Sequence, residues 1–354
     1  MATIYDVAKS AGVSAKTVSR VLNKDAPVAE QTRKAVETAM GELGYIPSFA
    51  ARSMRRGRSG LVGVVSTAIT ETRASPEYNG LPEIFIYQGI QDILQETGRT
   101  LLIGDAGGTA DGLARLLRTF AEHRVEGVIF VAPDHRRLTL PDPSGMGPFV
   151  IANGFDDRGT AAVVPDDRGG QRRLVDRLIE IGHRRIAYLT FANELVATKE
   201  RVQGWREAHE AAGLTVDPAL QREAEPLDEG PEARRRRIKY LLSSLLALDE
   251  PPTVICTGND RQAMQLYGIL RSQGVRVPED MSIAGYDDHQ LISETLYPSL
   301  TTVELPYRQM GEVAAQRLIE CLGGETRTDM APIRVSGEVV WRDSVIAPPP
   351  RTSR

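Results

Sequence analysis

The stretch TIYDVAKSAGVSAKTVSRVLN, residues 3–23, decides the fold of the first part of the chain. Thr3 is placed to cap a helix, and the apolar residues after it recur at i, i+3, i+4 and i+7, the spacing of one helix face. Gly12 ends this helix and Ser14 caps a second one, Ala15–Asn23. Two short helices joined by a glycine-bearing turn predict a helix-turn-helix, whose second helix lies in the major groove of DNA.

Charge separates this head from the rest of the chain. The 354 residues carry a net charge of −4. Residues 1–60 hold ten Lys and Arg against five Asp and Glu, and the remainder holds 33 against 42, so the head is +5 and the body −9. A basic module on an acidic body is typical of a segment that contacts a polyanion. Chance clustering explains the charge equally well, so the residue pattern has to decide.

The head resembles that of LacI/GalR-family transcription regulators. The resemblance rests on 22 positions in the segments Ile4–Ala8, Ala11–Ser14, Thr17–Asn23, Thr32–Arg33 and Gly44–Pro47. It implies that Ala15, Lys16 and Arg20 read base edges, with Lys16 and Arg20 donating to guanine. It also implies phosphate contacts from Thr3, Tyr5, Ser14, Thr17, Ser19 and Asn23. Core packing is the alternative role for Tyr5, and we assign Val18 to the core.

A hinge segment and linker, residues 47–60, follow the head of residues 1–46. A short helix is expected after Pro47, and it is too short to be stable alone in water. In the family that the head resembles, this hinge orders when two copies meet on DNA, and an apolar side chain from each enters the minor groove. Met54 occupies that position, where leucine is usual, and Ala51 is small enough for paired hinges to approach. The arginines around them either contact phosphate or belong to a solvated linker.

Residues 61–345 alternate apolar runs of strand length with helical patterns, which predicts parallel sheets covered on both faces. The expected strands are Leu61–Val65, Thr100–Ile103, Gly127–Val131, Phe149–Ala152, Arg185–Thr190, Thr253–Thr257 and Met281–Ala284. The expected helices are Ile84–Glu96, Asp111–His123, Gly169–Ile181, Lys199–Ala212, Pro231–Leu248 and Asp260–Gln273. So many elements indicate two sheets, and hence two lobes.

The predicted fold is therefore an all-α helix-turn-helix DNA-binding head plus an α/β body of two doubly wound lobes. The body resembles the periplasmic-binding-protein-like body of the same family, in which the chain crosses between the lobes three times. We expect these crossings near Ala152–Asp166, Tyr286–Leu291 and Leu322–Ile333. Residues 346–354, which are rich in proline, are expected to form a disordered tail.

Three polar residues of the body are the main candidates for effector contacts. Ligands of open parallel sheets bind at the carboxyl ends of the strands. Asn259 and Asp287 each follow an expected strand, in segments that resemble family motifs. Arg201 lies in the segment ERVQGW, which resembles the family's E-R-x-x-G-aromatic motif. Its guanidinium suits vicinal hydroxyls or a carboxylate, and the Asp287 carboxylate suits sugar hydroxyls.

Four further residues are weaker effector candidates. Asp166 matches the family's D-x-x-x-G pattern, but a helix-capping role fits it equally well. Glu83 and Asp105 are each as suited to a cap or a surface charge as to accepting ligand hydroxyls. Phe85 comes slightly later than the aromatic pair that the family brings to the cleft. The sequence therefore does not assign the residues that line the lobe-one half of the pocket.

Other classes of protein fit the sequence less well. No nucleophile elbow, P-loop or zinc-protease motif is present, and the histidines lack metal-ligand spacing, so we expect no enzyme activity, no cofactor and no metal. No apolar run approaches the ~20 residues of a membrane span. The N-terminus lacks an apolar signal core, so a cytoplasmic location is expected. Two cysteines outside any cluster argue against a disulfide framework.

These features predict a sequence-specific DNA-binding transcriptional regulator that acts as a homodimer on a near-palindromic operator. We expect a repressor of carbohydrate-metabolism genes, released by a small sugar or sugar derivative, with no membrane partner. A regulator that needs a corepressor is the alternative within this class. A solute-binding protein without DNA function is the alternative outside it, and it would lack the basic head.

Overall fold

The computed structural model describes residues 2–23, 26–46, 58–67, 70, 83–141, 145, 147–226, 230–325 and 331–349. The hinge candidates Ala51 and Met54 lie outside these ranges, as does the loop of residues 71–82.

The head consists of three helices, α1 (Ile4–Ser10), α2 (Ala15–Asn23) and α3 (Glu30–Glu42). Thr3 caps α1 in a capping box with Asp6, as predicted. Gly12 takes the left-handed conformation (φ +65°) that lets the chain leave α1 and enter α2. The head buries a core of its own, consisting of Val7, Ala8, Val18, Val36 and Ala39. The assignment of Val18 to the core is confirmed.

The body contains twelve described strands and eight described helices. In chain order they are β1 (Leu61–Ser66), α4 (Glu83–Glu96), β2 (Thr100–Asp105), α5 (Ala110–Glu122), β3 (Gly127–Arg137), β4 (Phe149–Phe155), β5 (Ala161–Pro165), α6 (Asp167–Glu180), β6 (Ile186–Phe191), α7 (Val196–Ala211), β7 (Gln221–Glu225), α8 (Pro231–Leu246), β8 (Val254–Thr257), α9 (Asp260–Ser272), β9 (Ser282–Ala284), α10 (Gln290–Ser293), β10 (Thr302–Val303), α11 (Tyr307–Leu322), β11 (Ile333–Val335) and β12 (Val339–Val340).

Lobe one is built on a parallel six-stranded sheet in the order β11-β5-β4-β3-β1-β2. Alternate residues of β1 point to opposite faces: Val64 packs with α4 and α11, and Val65 packs with α5. The helices α4 and α11 cross in close contact, because a Cβ on Gly89 would overlap the carbonyl oxygen of Arg308 and one on Gly311 would overlap that of Ile86.

Lobe two is built on a parallel four-stranded sheet in the order β7-β6-β8-β9. Its core surrounds the fully buried Trp205 and includes residues of all four strands. The helices α6 and α7 pack against each other, with Gly204 of α7 facing the carbonyl oxygen of Arg168 so closely that a Cβ would overlap it. The prediction of two doubly wound lobes is confirmed.

The crossings between the lobes differ in part from the prediction. The first follows β5 and ends at Asp166, within the expected range. The second follows β10, after Val303, rather than lying near Tyr286–Leu291. The third follows β11, after Val335, rather than lying between Leu322 and Ile333. The difference arises because α11, which the sequence analysis did not identify, returns to lobe one between the second and third crossings.

The first residues of the expected tail are bound to lobe two. The backbone carbonyl of Ile346 accepts a hydrogen bond from Nε2 of His183 (3.0 Å), and its N–H donates to Oγ of Ser282 (3.3 Å). Burial lowers the pKa of His183 to about 4, so its ring is neutral near pH 7. The ordered body therefore extends beyond residue 345, and the described chain continues to Pro349.

Candidate DNA-binding helix and interlobe cleft

Helix α2 presents two cationic side chains on one exposed face. Lys16 and Arg20 lie four residues apart, so they project from the same side of the helix, opposite the buried Val18. Ser14 fixes the start of the helix, since its Oγ accepts a hydrogen bond from the backbone N–H of Thr17 (3.1 Å). Ala15, the third candidate for base reading, is half-buried and packs against the core of the head.

The candidate phosphate contacts occupy different environments. Oγ1 of Thr3 donates to Oδ2 of Asp6 (2.7 Å), so this hydroxyl already serves the capping box. Tyr5 is 74% exposed, which excludes the alternative of core packing for its ring. Ser14 and Thr17 share a hydrogen bond between their hydroxyls (3.0 Å). Ser19 is half-buried on α2, and the side chain of Asn23 lies outside the description.

Asp167 contacts residues of both lobes at the cleft between them. It is fully buried at the first position of α6. Its Oδ1 accepts a hydrogen bond from Nε of Arg201 (2.6 Å), and its Oδ2 lies 2.7 Å from Nδ1 of His135. Burial alone would raise the pKa of Asp167, but the charges and hydrogen bonds of Arg201 and His135 outweigh it and hold the pKa below its ordinary value. Asp167 is therefore ionised near pH 7.

Arg201 is held at three points. Besides its bond to Asp167, its Nη1 donates to the backbone carbonyl of Gly258 (2.7 Å). Its guanidinium lies over the ring of Tyr286, 3.7 Å from the centroid. The Tyr286 hydroxyl in turn donates to the backbone carbonyl of Asp167 (3.3 Å). Loops that follow β8 and β9 thus fix the guanidinium at the carboxyl edge of the lobe-two sheet.

Asp287 places a carboxylate near this guanidinium. Its backbone is left-handed (φ +109°), an uncommon conformation for a residue other than glycine. Its Oδ1 is buried, and among the described residues it has no hydrogen-bond partner. Burial raises the pKa of Asp287 to about 6, although Asp260 and Arg201 act to lower it. Burial and the charge of Asp287 raise the pKa of Asp260 well above its ordinary value, so the two carboxyls are not both ionised at mildly acidic pH.

Asn259, the third main candidate, begins α9. Its Oδ1 accepts a hydrogen bond from the backbone N–H of Gln262 (2.9 Å), which makes it the helix cap. The side-chain oxygen therefore already accepts one hydrogen bond within the protein.

The weaker candidates divide between the cleft and other places. Glu83 is buried in the first turn of α4, in lobe one. Burial, together with the charges of Asp287 and Glu83, raises the pKa of Tyr307 at the start of α11 in the same lobe. Asp105 accepts a hydrogen bond from Oγ1 of Thr70 (2.5 Å) at the end of β2. Phe85 is 49% exposed on the outer side of α4.

Asp166 acts as the cap of α6. Its Oδ1 accepts from the backbone N–H of Gly169 (3.1 Å), and its Oδ2 contacts Arg173 (3.2 Å) and Ser336 (3.0 Å). Of its two proposed roles, the structure supports the cap.

Sequence reasoning missed two residues that the structure brings into the cleft. His135 lies on an extension of β3 beyond the apolar run that marked the strand, and Asp167 stands next to the acidic residue that matched the family pattern. The only available signals were a histidine shortly after a strand and a doubled aspartate.

Two classes of feature are absent from the described ranges. No helix there is long and apolar enough to cross a membrane. Within the same residues, no group of three or more His, Cys, Asp or Glu side chains is placed to hold a metal ion.

Comparisons with known proteins match both parts of the chain. The pattern of bacterial regulatory proteins of the lacI family matches residues 3–48, and that of a periplasmic binding protein-like domain matches residues 175–345. The HTH-type transcriptional repressor PurR of Aliivibrio fischeri is 34% identical over 350 residues, 98% of each chain.

Two solved structures extend the match. The complex of transcriptional regulator CelR with cellobiose is 30% identical, with a TM-score of 0.63, over 98% of this chain and all of the other. The lac repressor dimer bound to operator and the anti-inducer ONPF is 25% identical, with a TM-score of 0.74, over 98% of this chain and 99% of the other.

Proposed function

Because this chain belongs to the lacI family of bacterial regulatory proteins, we propose that it is a transcriptional repressor controlled by a sugar bound between its lobes. Members of this family are DNA-binding regulators with small-molecule effectors rather than enzymes. A regulator has to meet its operator, which supports a cytoplasmic location.

On the DNA side, Lys16 and Arg20 read bases in the major groove. Their exposure on one face of α2 supports this role, since an arginine that forks onto guanine must be free of the protein core. Ala15 contributes at most a methyl contact. The polar residues around them fix the register on the phosphates: Thr3, Tyr5, Ser14, Thr17, Ser19 and Asn23.

Two heads of a homodimer meet two halves of a near-palindromic operator. The solved lac repressor, which resembles this chain over nearly its whole length, is a dimer on its operator, and this supports the arrangement. We propose that hinges from the two copies pair through Ala51 and that Met54 enters the minor groove. An apolar wedge of this kind unstacks a base step and adds contact area on bent DNA.

On the effector side, the observation that carries the proposal is the buried, unpartnered oxygen of Asp287 near a fixed Arg201. A buried acceptor without a partner costs free energy that a donating ligand recovers. Hydroxyl groups donate to Asp287 and accept from the guanidinium, so a polyhydroxylated ligand satisfies both. The likeness to a regulator solved with cellobiose supports a sugar.

The effector changes DNA affinity only if it binds the two arrangements of the lobes differently. An inducer favours the arrangement in which the hinges do not pair, and a corepressor favours the other. Asp287 and Arg201 lie in lobe two, and Glu83 lies in lobe one, so a ligand that spans them senses the distance between the lobes.

A thermal-shift screen of the full chain against neutral mono- and disaccharides, cellobiose included, tests the sugar proposal. A ligand that binds the native state stabilises it by mass action and so raises the melting temperature. At a ligand concentration a hundredfold above Kd, the free energy of unfolding increases by about 2.7 kcal/mol. At least one sugar is expected to raise the melting temperature of the wild type and not that of Asp287→Asn. If no sugar does so, or both proteins respond alike, the sugar site is elsewhere or absent.

A further inference from the structure

Strand β3 departs from regular pairing at the point where it faces lobe two. Val131 pairs with Ala152 of β4, but the next pair is Arg136 with Gly154, so β3 uses four residues where β4 uses one. Such a bulge bends a strand and redirects a side chain. Two features of β4 hold it: Asn153 is left-handed (φ +63°), and its Nδ2 donates to the backbone carbonyl of Ala132 (3.1 Å).

The bulge delivers His135 to the other lobe. His135 is only 5% exposed, its ring meets the edge of Phe155, and its Nδ1–H donates to Oδ2 of Asp167 in lobe two. Bulge residues 132–135 form no regular ladder pairs with β4. The contact that they make possible is the one across the cleft.

Asp167 then links His135 to Arg201, the proposed effector contact. Its two carboxylate oxygens are divided between the lobes, Oδ2 to His135 and Oδ1 to Nε of Arg201. A carboxylate is planar and rigid, so a shift of His135 turns the oxygen that orients the guanidinium. Arg201 cannot move away as a whole in response to such a shift, because its guanidinium is stacked on Tyr286 and hydrogen-bonded to the backbone carbonyl of Gly258.

We infer that His135 is the lobe-one positioning residue of the effector site, which makes the aim of Arg201 depend on how the lobes sit. By reciprocity, a ligand that fixes Arg201 favours the lobe arrangement in which His135 reaches Asp167. The inference rests on the proposed function in one respect, the role of Arg201 as an effector contact.

Three variants of the full chain separate hydrogen bonding from packing. His135→Phe keeps an aromatic ring beside Phe155 but donates no hydrogen bond. His135→Asn keeps a donor nitrogen at the δ position and is the conservative variant. Arg334→Ala is the matched control, because it removes another contact between the lobes, the ion pair of Arg334 with Glu200 (3.1 Å), which does not touch Asp167.

The first measurement is hydrogen–deuterium exchange without any sugar, on peptides that cover residues 166–171 and 198–204. His135→Phe is expected to raise exchange at least tenfold in both peptides, whereas His135→Asn stays within threefold and Arg334→Ala within twofold of the wild type. A merely structural role would loosen the bulge without reaching residues 198–204. If His135→Phe does not fold, His135→Gln replaces it, since its amide nitrogen lies one bond further out.

The second measurement is the ratio of operator Kd with and without the sugar that gives the largest thermal shift. This ratio is expected to fall at least tenfold in His135→Phe and to be restored in His135→Asn. Wild-type exchange at residues 198–204 in His135→Phe, or equal losses in the Phe and Asn variants, would overturn the inference. If no sugar binds the wild type, the sugar proposal fails alone, and the exchange at residues 198–204 still decides the role of His135.

Discussion

At Asp287 the fold holds a carboxylate under two kinds of constraint. Its backbone is left-handed, and its carboxylate is buried beside that of Asp260. Strain of this kind persists only where the surrounding structure determines it, and it clusters at ligand sites. Because the pKa of Asp287 is raised from 3.8 to about 6, the carboxyl changes charge within the range of ordinary experiments.

Effector affinity should therefore depend on pH. Ligand hydroxyls hydrogen-bond the ionised form of Asp287, so binding lowers its pKa and releases a proton. The affinity is expected to be about tenfold weaker at pH 5 than at pH 7, as titration calorimetry in buffers of different ionisation enthalpy would reveal. Asp287→Asn should bind weakly with a flat profile. A pH-independent wild type would contradict the assignment.

The same shift has a consequence for stability without ligand. A carboxyl whose folded pKa exceeds its unfolded value favours folding fully below the unfolded pKa, and this contribution is lost as the pH rises through the folded pKa. For Asp287 that window runs from about pH 4 to about pH 6. The effector then offsets at neutral pH what the buried charge costs.

Arg20 carries the sharpest prediction for DNA recognition. Arg20→Ala should cost roughly 1–3 kcal/mol per half-site and relax preference at one base pair, because a guanidinium fork is lost. Arg33→Ala is the matched control: it removes the same charge from α3, where Arg33 is exposed. Competition binding with single-base operator variants measures both. A uniform loss across all sequences in Arg20→Ala would mean that Arg20 contacts phosphate.

At single positions, sequence reasoning could identify residues that lie within recognisable motifs. It named Arg201 and Asp287, whose charges lie near each other in the structure, and Asp166, which caps α6. Asp167 and His135 escaped because their roles depend on contacts between residues 32 positions apart in sequence and in different lobes. No local pattern of spacing carries that information.

At the scale of elements, both lobes use a glycine to bring two helices into contact. Gly89 and Gly311 do so for α4 and α11 in lobe one, and Gly204 does so for α7 against α6 in lobe two. These helices flank the cleft, since α4 begins with Glu83, α6 with Asp167 and α11 with Tyr307. Close helix crossing therefore fixes the positions from which cleft residues project.

Gly89→Ala should destabilise lobe one by several kcal/mol, because its Cβ would overlap the backbone of Arg308 and overpacking typically costs ~1–3 kcal/mol or more. Gly268→Ala is the control on α9, where a Cβ meets nothing within 4 Å. It should stabilise the chain by about 0.5–1 kcal/mol through helix propensity. Denaturant unfolding measures the free energy of unfolding of both variants. A change in the same direction for both would contradict the close crossing of α4 and α11.

Element positions were predictable where hydrophobic period and length agree. The expected helix Pro231–Leu248 is observed as Pro231–Leu246, and the expected strand Leu61–Val65 as Leu61–Ser66. The extension of β3 to Arg137 was not predictable, because the polar residues past Val131 break the strand pattern. The two-residue strands β10 and β12 are equally invisible, since they pair only through contacts between distant parts of the chain.

For the whole molecule, the charge asymmetry assigns tasks to its parts. The +5 head brings cations to the phosphates, and the −9 body reduces attraction to DNA outside the operator. Under the proposed function, the body converts ligand binding at the cleft into a choice between lobe arrangements. Operator affinity then changes only as much as the effector distinguishes those arrangements.

The measurement that tests this account most directly is selection of duplex DNA from a random pool by the full chain, followed by affinity titration of the enriched site. We predict a near-palindromic site bound at least about 10³-fold more tightly than unrelated DNA. Addition of the sugar with the largest thermal shift should change that ratio. Enrichment of no site, or one affinity for all sequences, would contradict the central claim.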